Sequence, residues 1–424
     1  MADVVAAAVA EAHESEWASV LAATARFAAD LDLAEDCVQD AYAKALVHWR
    51  ADGVPRKPGA WLTTVATRRA LELRRRAGVA HRKLPLLVPD LADDLSPEPD
   101  GGVASGVFPD DRLRLVFTCC HPALAQEAQV ALTLRLVCGL SSAEIAKAFL
   151  VKEATMQARI TRAKQKISRS GIPYRIPRAD ELPQRIEAVL DAVHLVYTAG
   201  HTALDGDELT RPDLARRGID LARMMRMLLP DSAETAGLLA LLLLTQAREN
   251  ARVDQDRRLV LMEDQDRSRW DGQLIAEALQ LVPDALAGRD RTSLGRFGVM
   301  AAIAAAHAEA RRWEDTDWRE ILGLYDVLLA RWPSPVVALN RVVALAYVDG
   351  PEAALRALDD AAGRQPLADE PALATYPYLA STRGELLWRL GRVEEARAAY
   401  EEALAFTSNP VEAEFLQGRI TRGA

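Results

Sequence analysis

The stretch from Asp90 to Asp111 divides this chain. It holds seven acids, no lysine or arginine, and proline or glycine at Pro97, Pro99, Gly101, Gly102, Gly106 and Pro109, so it is expected to be a flexible linker rather than a helix. Basic residues gather on either side of it. From Arg56 to Lys83 nine Lys/Arg face the single acid Glu72, and from Glu144 to Arg178 nine face Glu144 and Glu153. The whole chain nevertheless carries −9. Local fields, not net charge, decide where phosphate binds, which makes nucleic acid the first partner to consider.

At 424 residues the chain has room for two or three domains, and with half its residues apolar it can build sizeable cores. Aromatics make up only 5%, and Ala, Leu, Arg and Glu dominate long stretches with few β-branched runs. The expected fold class is all-α. Met1–Ala12 lacks the pattern of a secretory signal, and the apolar run Gly237–Leu244 is far too short to span a bilayer, so a cytoplasmic protein with no membrane partner is expected. Four cysteines form no disulfide framework and no CxxC pair. Cys119, Cys120 and His121 read as buried packing, with redox or metal sensing as the alternative; no cofactor and no metal site are expected. Residues 1–178 carry +3, which leaves −12 for residues 179–424. The two parts have different jobs.

Three helices are expected in the first module: Glu14–Ala29, amphipathic through Trp17, Val20, Leu21 and Phe27; Leu33–Trp49, with Asp32 as N-cap; and Pro58–Ala77, with proline in its first turn. The second carries an acidic face of Asp32, Glu35, Asp36, Gln39 and Asp40, which is either a dipole-favoured first turn or a contact surface. The third packs through Trp61, Leu62, Val65, Ala66 and Leu73. That leaves Arg68, Arg69, Arg74, Arg75 and Arg76 as a basic stripe that continues through His81, Arg82 and Lys83. Such a stripe can follow a phosphate backbone, although positive charge at a helix C-terminus is also simply favourable.

The second module is more specific. Leu134 to Ile167 spells helix, turn, short helix, turn, longer helix, a helix-turn-helix pattern. Gly139 ends the first helix, Ser141 and Glu144 form a capping box, and Ile145, Ala146 and Phe149 give the short helix its buried side. On the last helix Met156, Ile160, Ala163 and Ile167 recur at core spacing. The opposite face presents Thr155, Arg159, Arg162 and Lys166, with Gln157 to one side, toward base edges and phosphates.

Together the modules resemble a bacterial RNA polymerase sigma factor of the extracytoplasmic function type over about residues 10–172. Asp32 to Tyr42 is similar to the family's region 2 helix that binds core RNA polymerase, which implies Asp36, Gln39 and Asp40 as contacts. Pro58 to Ala66 with the following arginines resembles the segment that melts and reads the minus-ten element. That implies Trp61, Arg68, Arg69, Arg74, Arg75, Arg76, Arg82 and Lys83 at the melted non-template strand. The helix-turn-helix resembles region 4, which implies Thr155, Gln157, Arg159, Arg162 and Lys166 at the duplex minus-thirty-five element. Arg68, Glu72, Lys152 and Gln157 depart from the common pattern, so no promoter consensus is transferred. The resemblance sets the domains at 10–85 for region 2, 86–111 for the linker, 112–176 for region 4 and 177–424 for a helical extension.

In that extension, Gly384, Gly391, Ala396, Tyr400 and Ala403 fall at tetratricopeptide-repeat positions, and a weaker unit spans Pro335–Ala361 around Gly350. The whole chain resembles the group of these sigma factors with a large repeat-like extension. Asp205–Leu209 and Leu261–Asp271 are similar to its recurrent motifs. With Arg267, Arg269 and Trp270, the acids there read either as a ligand or metal site or as helix caps and ion pairs. The −12 charge admits an intramolecular contact that covers the basic helices; the alternative is an extension required for activity. Two other functions compete: an operator-binding helix-turn-helix regulator with a helical sensor, and a repeat scaffold or enzyme. No HExxH, P-loop or nucleophile elbow is present, and a non-enzyme is expected.

Overall fold

The computed structural model describes residues 2–28, 30–81, 111–149, 151–201, 212–256, 258–287, 294–359 and 366–421. The connector up to Asp110, Arg82, Lys83 and the Asp205–Leu209 motif lie outside the described residues. Among the described residues the regular structure is helical, apart from one isolated bridge between Val253 and Leu259. The chain is all-α and divides into two units, residues 1–192 and 193–424.

In the first unit, α1 (Ala2–Ala25), α2 (Leu31–Asp52) and α3 (Pro58–His81) pack as a three-helix bundle. Its core takes Trp17, Val20 and Leu21 from α1, Ala34, Val38, Ala41 and Ala45 from α2, and Leu62, Ala66 and Ala70 from α3. All recur at helical spacing. Helix α1 starts well before Glu14, because Val5, Val9 and Ala12 extend the buried stripe. Helix α2 also starts early: Asp30, not Asp32, is its N-cap, accepting the Leu33 N–H at 2.8 Å. Asp32 thus stands in the first helical turn. Gly53, at φ 82°, ends the helix and returns its N–H to the Trp49 carbonyl.

The second module is α4 (Asp111–Cys119), α5 (Gln126–Leu132), α6 (Ser142–Ala148) and α7 (Glu153–Arg169). A π-helical turn, Thr133–Val137, continues α5, with the Cys138 N–H reaching back five residues to Thr133. Gly139, at φ 72°, makes the bend. The capping box forms in both directions: Ser141 N–H donates to Glu144 Oε2 at 2.7 Å, and Glu144 N–H donates to Ser141 Oγ at 3.2 Å. Helix α1 packs on α4 and on the π turn, where Trp17 Nε1 donates to the Leu136 carbonyl at 3.0 Å. Cys119 and Cys120 are buried, and burial pushes both thiols up, Cys120 to about 11. They are protonated packing residues at neutral pH.

The division between units falls inside α8 (Leu182–His201). The second unit continues with α9 (Pro212–Leu228), α10 (Ala233–Gln246), α11 (Gly272–Ala285), α12 (Arg296–Glu309), α13 (Trp318–Arg331), α14 (Pro335–Val348), α15 (Pro351–Asp359), α16 (Pro377–Arg389), α17 (Val393–Ala405) and α18 (Pro410–Thr421). Successive helices pair. Both expected hairpins form, α14 with α15 about Gly350 (φ 90°) and α16 with α17 about Gly391 (φ 74°). A Cβ on Gly384 would lie 2.8 Å from the Tyr400 ring, which is why a glycine lets α16 and α17 approach. Two acids of 261–271 act as caps: Asp266 accepts the Ser268 N–H, and Asp271 accepts those of Gln273 and Leu274 at the start of α11, while Glu263 pairs with Arg389.

Candidate nucleic-acid interface

Helix α7 presents two faces. Met156, Ile160, Ala163 and Ile167 are buried, while Thr155, Gln157, Arg162 and Lys166 are exposed and Arg159 is half-buried. Glu153 in the first turn and Lys166 and Arg169 in the last both suit the helix dipole. Gln157 is steadied by Glu153 at 3.4 Å, and Lys166 donates to the Ala123 carbonyl. A short helix, a glycine bend and a capping box therefore hold a polar, cationic face outward.

Helix α3 offers the second basic surface. Trp61 is half-buried against Trp49, with ring centroids 5.7 Å apart edge to face, and against His48. Arg68, Arg74, Arg75 and Arg76 are exposed. Arg74 donates to the Phe27 carbonyl at 3.1 Å, and Arg76 pairs with Glu72. Among the described residues Arg68 and Arg75 have no ion-pair partner. Arg69 differs: it is half-buried, with Nε 3.4 Å from Asp40 Oδ2 and Nη1 3.3 Å from Glu72.

On α2, Asp36, Gln39 and Asp40 are all exposed, on the side reached by Arg69. Glu35 is not exposed. Its side chain is 5% accessible and carries two cations from the second module, Lys164 at 2.7 Å and Arg135. Lys164 Nζ also donates to Asp32 at 2.7 Å. Burial disfavours the Lys164 ammonium, but Glu35 and Asp32 outweigh it and hold the group above its ordinary value. The clasp joins two acids of α2 to one cation of α7 and one of the π turn. Beside it a cleft of about 580 Å³, lined by Arg26, Asp32, Arg114 and Lys164 among others, separates the modules.

The sequence reading missed this clasp, although it leaves a signal. Lys164 stands four residues after Ile160 and three before Ile167, and Glu35 stands four after Leu31 and three before Val38. Both are charges on apolar stripes, positions tolerated when a partner arrives.

Comparison with known proteins agrees with this geometry. Residues 17–79 match the family described as Sigma-70 region 2, residues 114–167 match Sigma-70, region 4, and residues 185–286 match a family of unknown function, DUF6596. The chain is 42% identical over 401 residues to an uncharacterized protein of Rhizobium meliloti (strain 1021), covering 94% of this chain and 92% of that one. No solved structure matches. Among the described residues no helix is long and apolar enough to cross a membrane. With region 2 and region 4 both matched and both built as cationic helical modules, the chain belongs to the sigma-70 factors, as an extracytoplasmic-function-like member with a C-terminal extension and a sigma-factor-like role in transcription initiation.

Proposed function

We propose that the protein binds core RNA polymerase through α2, with Asp36, Gln39 and Asp40, and directs it to promoters. Thr155, Gln157, Arg159, Arg162 and Lys166 read the duplex minus-thirty-five element. Trp61 and the arginines Arg68, Arg69, Arg74, Arg75 and Arg76, with Arg82 and Lys83, take the melted minus-ten strand. The observation that carries this reading is the sorting of α7, whose apolar residues are buried while its polar and cationic residues are exposed behind a formed capping box. The domain limits are those proposed from the sequence, 10–85, 86–111, 112–176 and 177–424.

The clasp marks a closed form that opens on engagement. The two promoter elements lie about 25 base pairs apart by their names, or about 85 Å of duplex. Helix α7 touches α2, which touches α3, so the two DNA-facing helices sit within about two helix spacings, on the order of 20 Å. A body held this way reaches one element at a time. The chain from 82 to 110 has a contour of about 100 Å, long enough for separated modules.

The extension modulates this cycle. Supporting observations are its acidity, its tetratricopeptide-like hairpins and the bond from Arg185, at the start of α8, to the Phe117 carbonyl of region 4. The test is run-off transcription with core polymerase and a mapped promoter, using the whole chain and a form ending near Pro177. No transcript from either form refutes the sigma reading. Equal output from both refutes the role of the extension. Capture of core polymerase separates this function from that of an operator-binding regulator.

A further inference from the structure

Two cavities inside the second unit differ in their charge. One, of about 250 Å³, includes Glu263, Tyr347, Glu385, Arg389 and Arg419 in its wall. Its charges are mutually satisfied: Arg389 pairs with Glu385 and Glu263, and Arg419 pairs with Glu385. The other, of about 340 Å³, lies among α10, α12, α13 and α14, with Leu244, Met300, Ile303 and Leu328 in its wall together with Arg248 and His307. Among the described residues no aspartate or glutamate lines it.

Arg248 has no carboxylate partner among the described residues. It lies over the Trp270 ring at 5.8 Å, and Arg267 lies over the same ring at 4.7 Å. Burial first, and then the neighbouring Arg252 and Arg267, disfavour its charge, pulling it down to about 10, still protonated at neutral pH. Around it, His307 Nδ1, Arg267 Nη2 and Trp270 Nε1 are buried without a hydrogen-bond partner. Burial, followed by Arg248 and Arg267, holds His307 down at about 4, so it offers a hydrogen bond and no charge. Of these groups His307 lines the hollow with Arg248, and an arginine with no acid partner beside an unsatisfied imidazole nitrogen in an apolar wall is an incomplete arrangement, since buried charge is tolerated when it is paired.

We propose that this cavity binds a small organic anion, a carboxylate on an apolar tail or ring, with its acid group received by Arg248 beside His307 and its body seated on Leu244, Met300, Ile303 and Leu328. The volume suits a metabolite-sized molecule. A planar guanidinium fork matches a carboxylate in geometry as well as in charge. A cation has no acid to meet there. The site makes the extension a ligand-binding unit, and its test needs neither polymerase nor promoter, so it stands or falls apart from the function proposed above.

Titration calorimetry on the full chain decides it, with octanoate and 4-phenylbutyrate as probes and octan-1-ol, 4-phenylbutan-1-ol and octylamine as controls. At least one acid should bind saturably at one site, with the matching alcohol and the amine at least about tenfold weaker. Arg248→Gln should lose about tenfold or more of the acid affinity, while Arg248→Lys retains part of it. Ala304→Trp fills the cavity while keeping the arginine at 248, should abolish binding of acid and alcohol alike, and serves if Arg248→Gln does not fold. Absence of saturable binding by both acids overturns the proposal. So does an alcohol or the amine that binds as well as the acid, or acid affinity undiminished in a folded Ala304→Trp protein.

Discussion

Lys164 on α7 and Glu35 on α2, 129 positions apart, meet at 2.7 Å with side-chain accessibilities of 9% and 5%. A pair so well hidden is little screened by salt, and removing Glu35 leaves Lys164 only the exposed Asp32. Glu35→Gln would leave both Lys164 and Arg135 without their shared carboxylate, at about 3–5 kcal/mol. Because the bond ties two modules together, the loss should appear as opening. Amide exchange on α7 should increase and energy transfer between labels on α3 and α7 should decrease, and Glu35→Leu with Lys164→Leu should recover part of the closed form. A Glu35→Gln protein as closed as the parent removes the clasp from the account.

Asp36 is the cleaner probe of polymerase binding, since Asp40 is already engaged with Arg69. Asp36→Lys should weaken capture of core polymerase by about tenfold or more, equivalent to about 1.4 kcal/mol. Its far-UV circular dichroism should stay unchanged, because the residue is exposed. Undiminished capture by Asp36→Lys would count against α2 as the docking helix.

Arg162, exposed on the outer face of α7, is expected at phosphate. Arg162→Ala should weaken binding to all duplexes alike and reduce the slope of log affinity against log salt by about 1. Thr155→Ala and Gln157→Ala should instead change which upstream sequence is preferred, by about 1–3 kcal/mol per altered base pair. Filter binding over a salt series distinguishes the two patterns, and an Arg162→Ala protein with the parental slope rules out the phosphate contact.

Gly384→Ala places a methyl group against the Tyr400 ring, 2.8 Å from its nearest carbon. The hairpin must spread, at about 1–3 kcal/mol. Urea unfolding followed through the second unit should shift to a lower midpoint, and a parental midpoint would show that Tyr400 moves freely.

Acid should weaken the second unit through His307. Its ordinary value of 6.5 is lowered to about 4 by burial and then by Arg248 and Arg267, so the unfolded chain takes the proton more readily than the folded one. The stabilisation is complete above about pH 6.5 and is lost as pH falls toward about 4. His201, lowered to about 3 by burial, Arg252 and Arg248, acts in the same direction. His307→Gln should remove about 2–3 kcal/mol of the stability difference between about pH 7 and about pH 4. Urea midpoints at those two pH values provide the measurement, and an unchanged difference excludes His307 as a source.

Local rules made much of this architecture legible. The capping box, the four buried residues of α7 and the Gly384–Tyr400 approach each depend on residues within a few turns of one another, and each forms as its spacing implies. The N-cap of α2 was harder, because Asp30 and Asp32 are the same residue type two positions apart and only the helix start distinguishes them. Long-range pairing was not legible. A lysine among isoleucines demands an acid, but sequence alone does not choose Glu35 over the other acids. Arg248 likewise follows a leucine-rich helix, and its position beside a hollow with no acid emerges only when α12, α13 and α14 fold over it.

The Asp40–Arg69 bridge makes the two proposed contacts draw on a common charge. A polymerase surface that claims Asp40 takes away one of the two acids holding Arg69, and the guanidinium is then freer to swing toward a strand. On the function proposed above, assembly with the enzyme would then sharpen the grip on opened DNA, while the solitary factor would keep that cation partly muted and less prone to settle on the wrong stretch of chromosome.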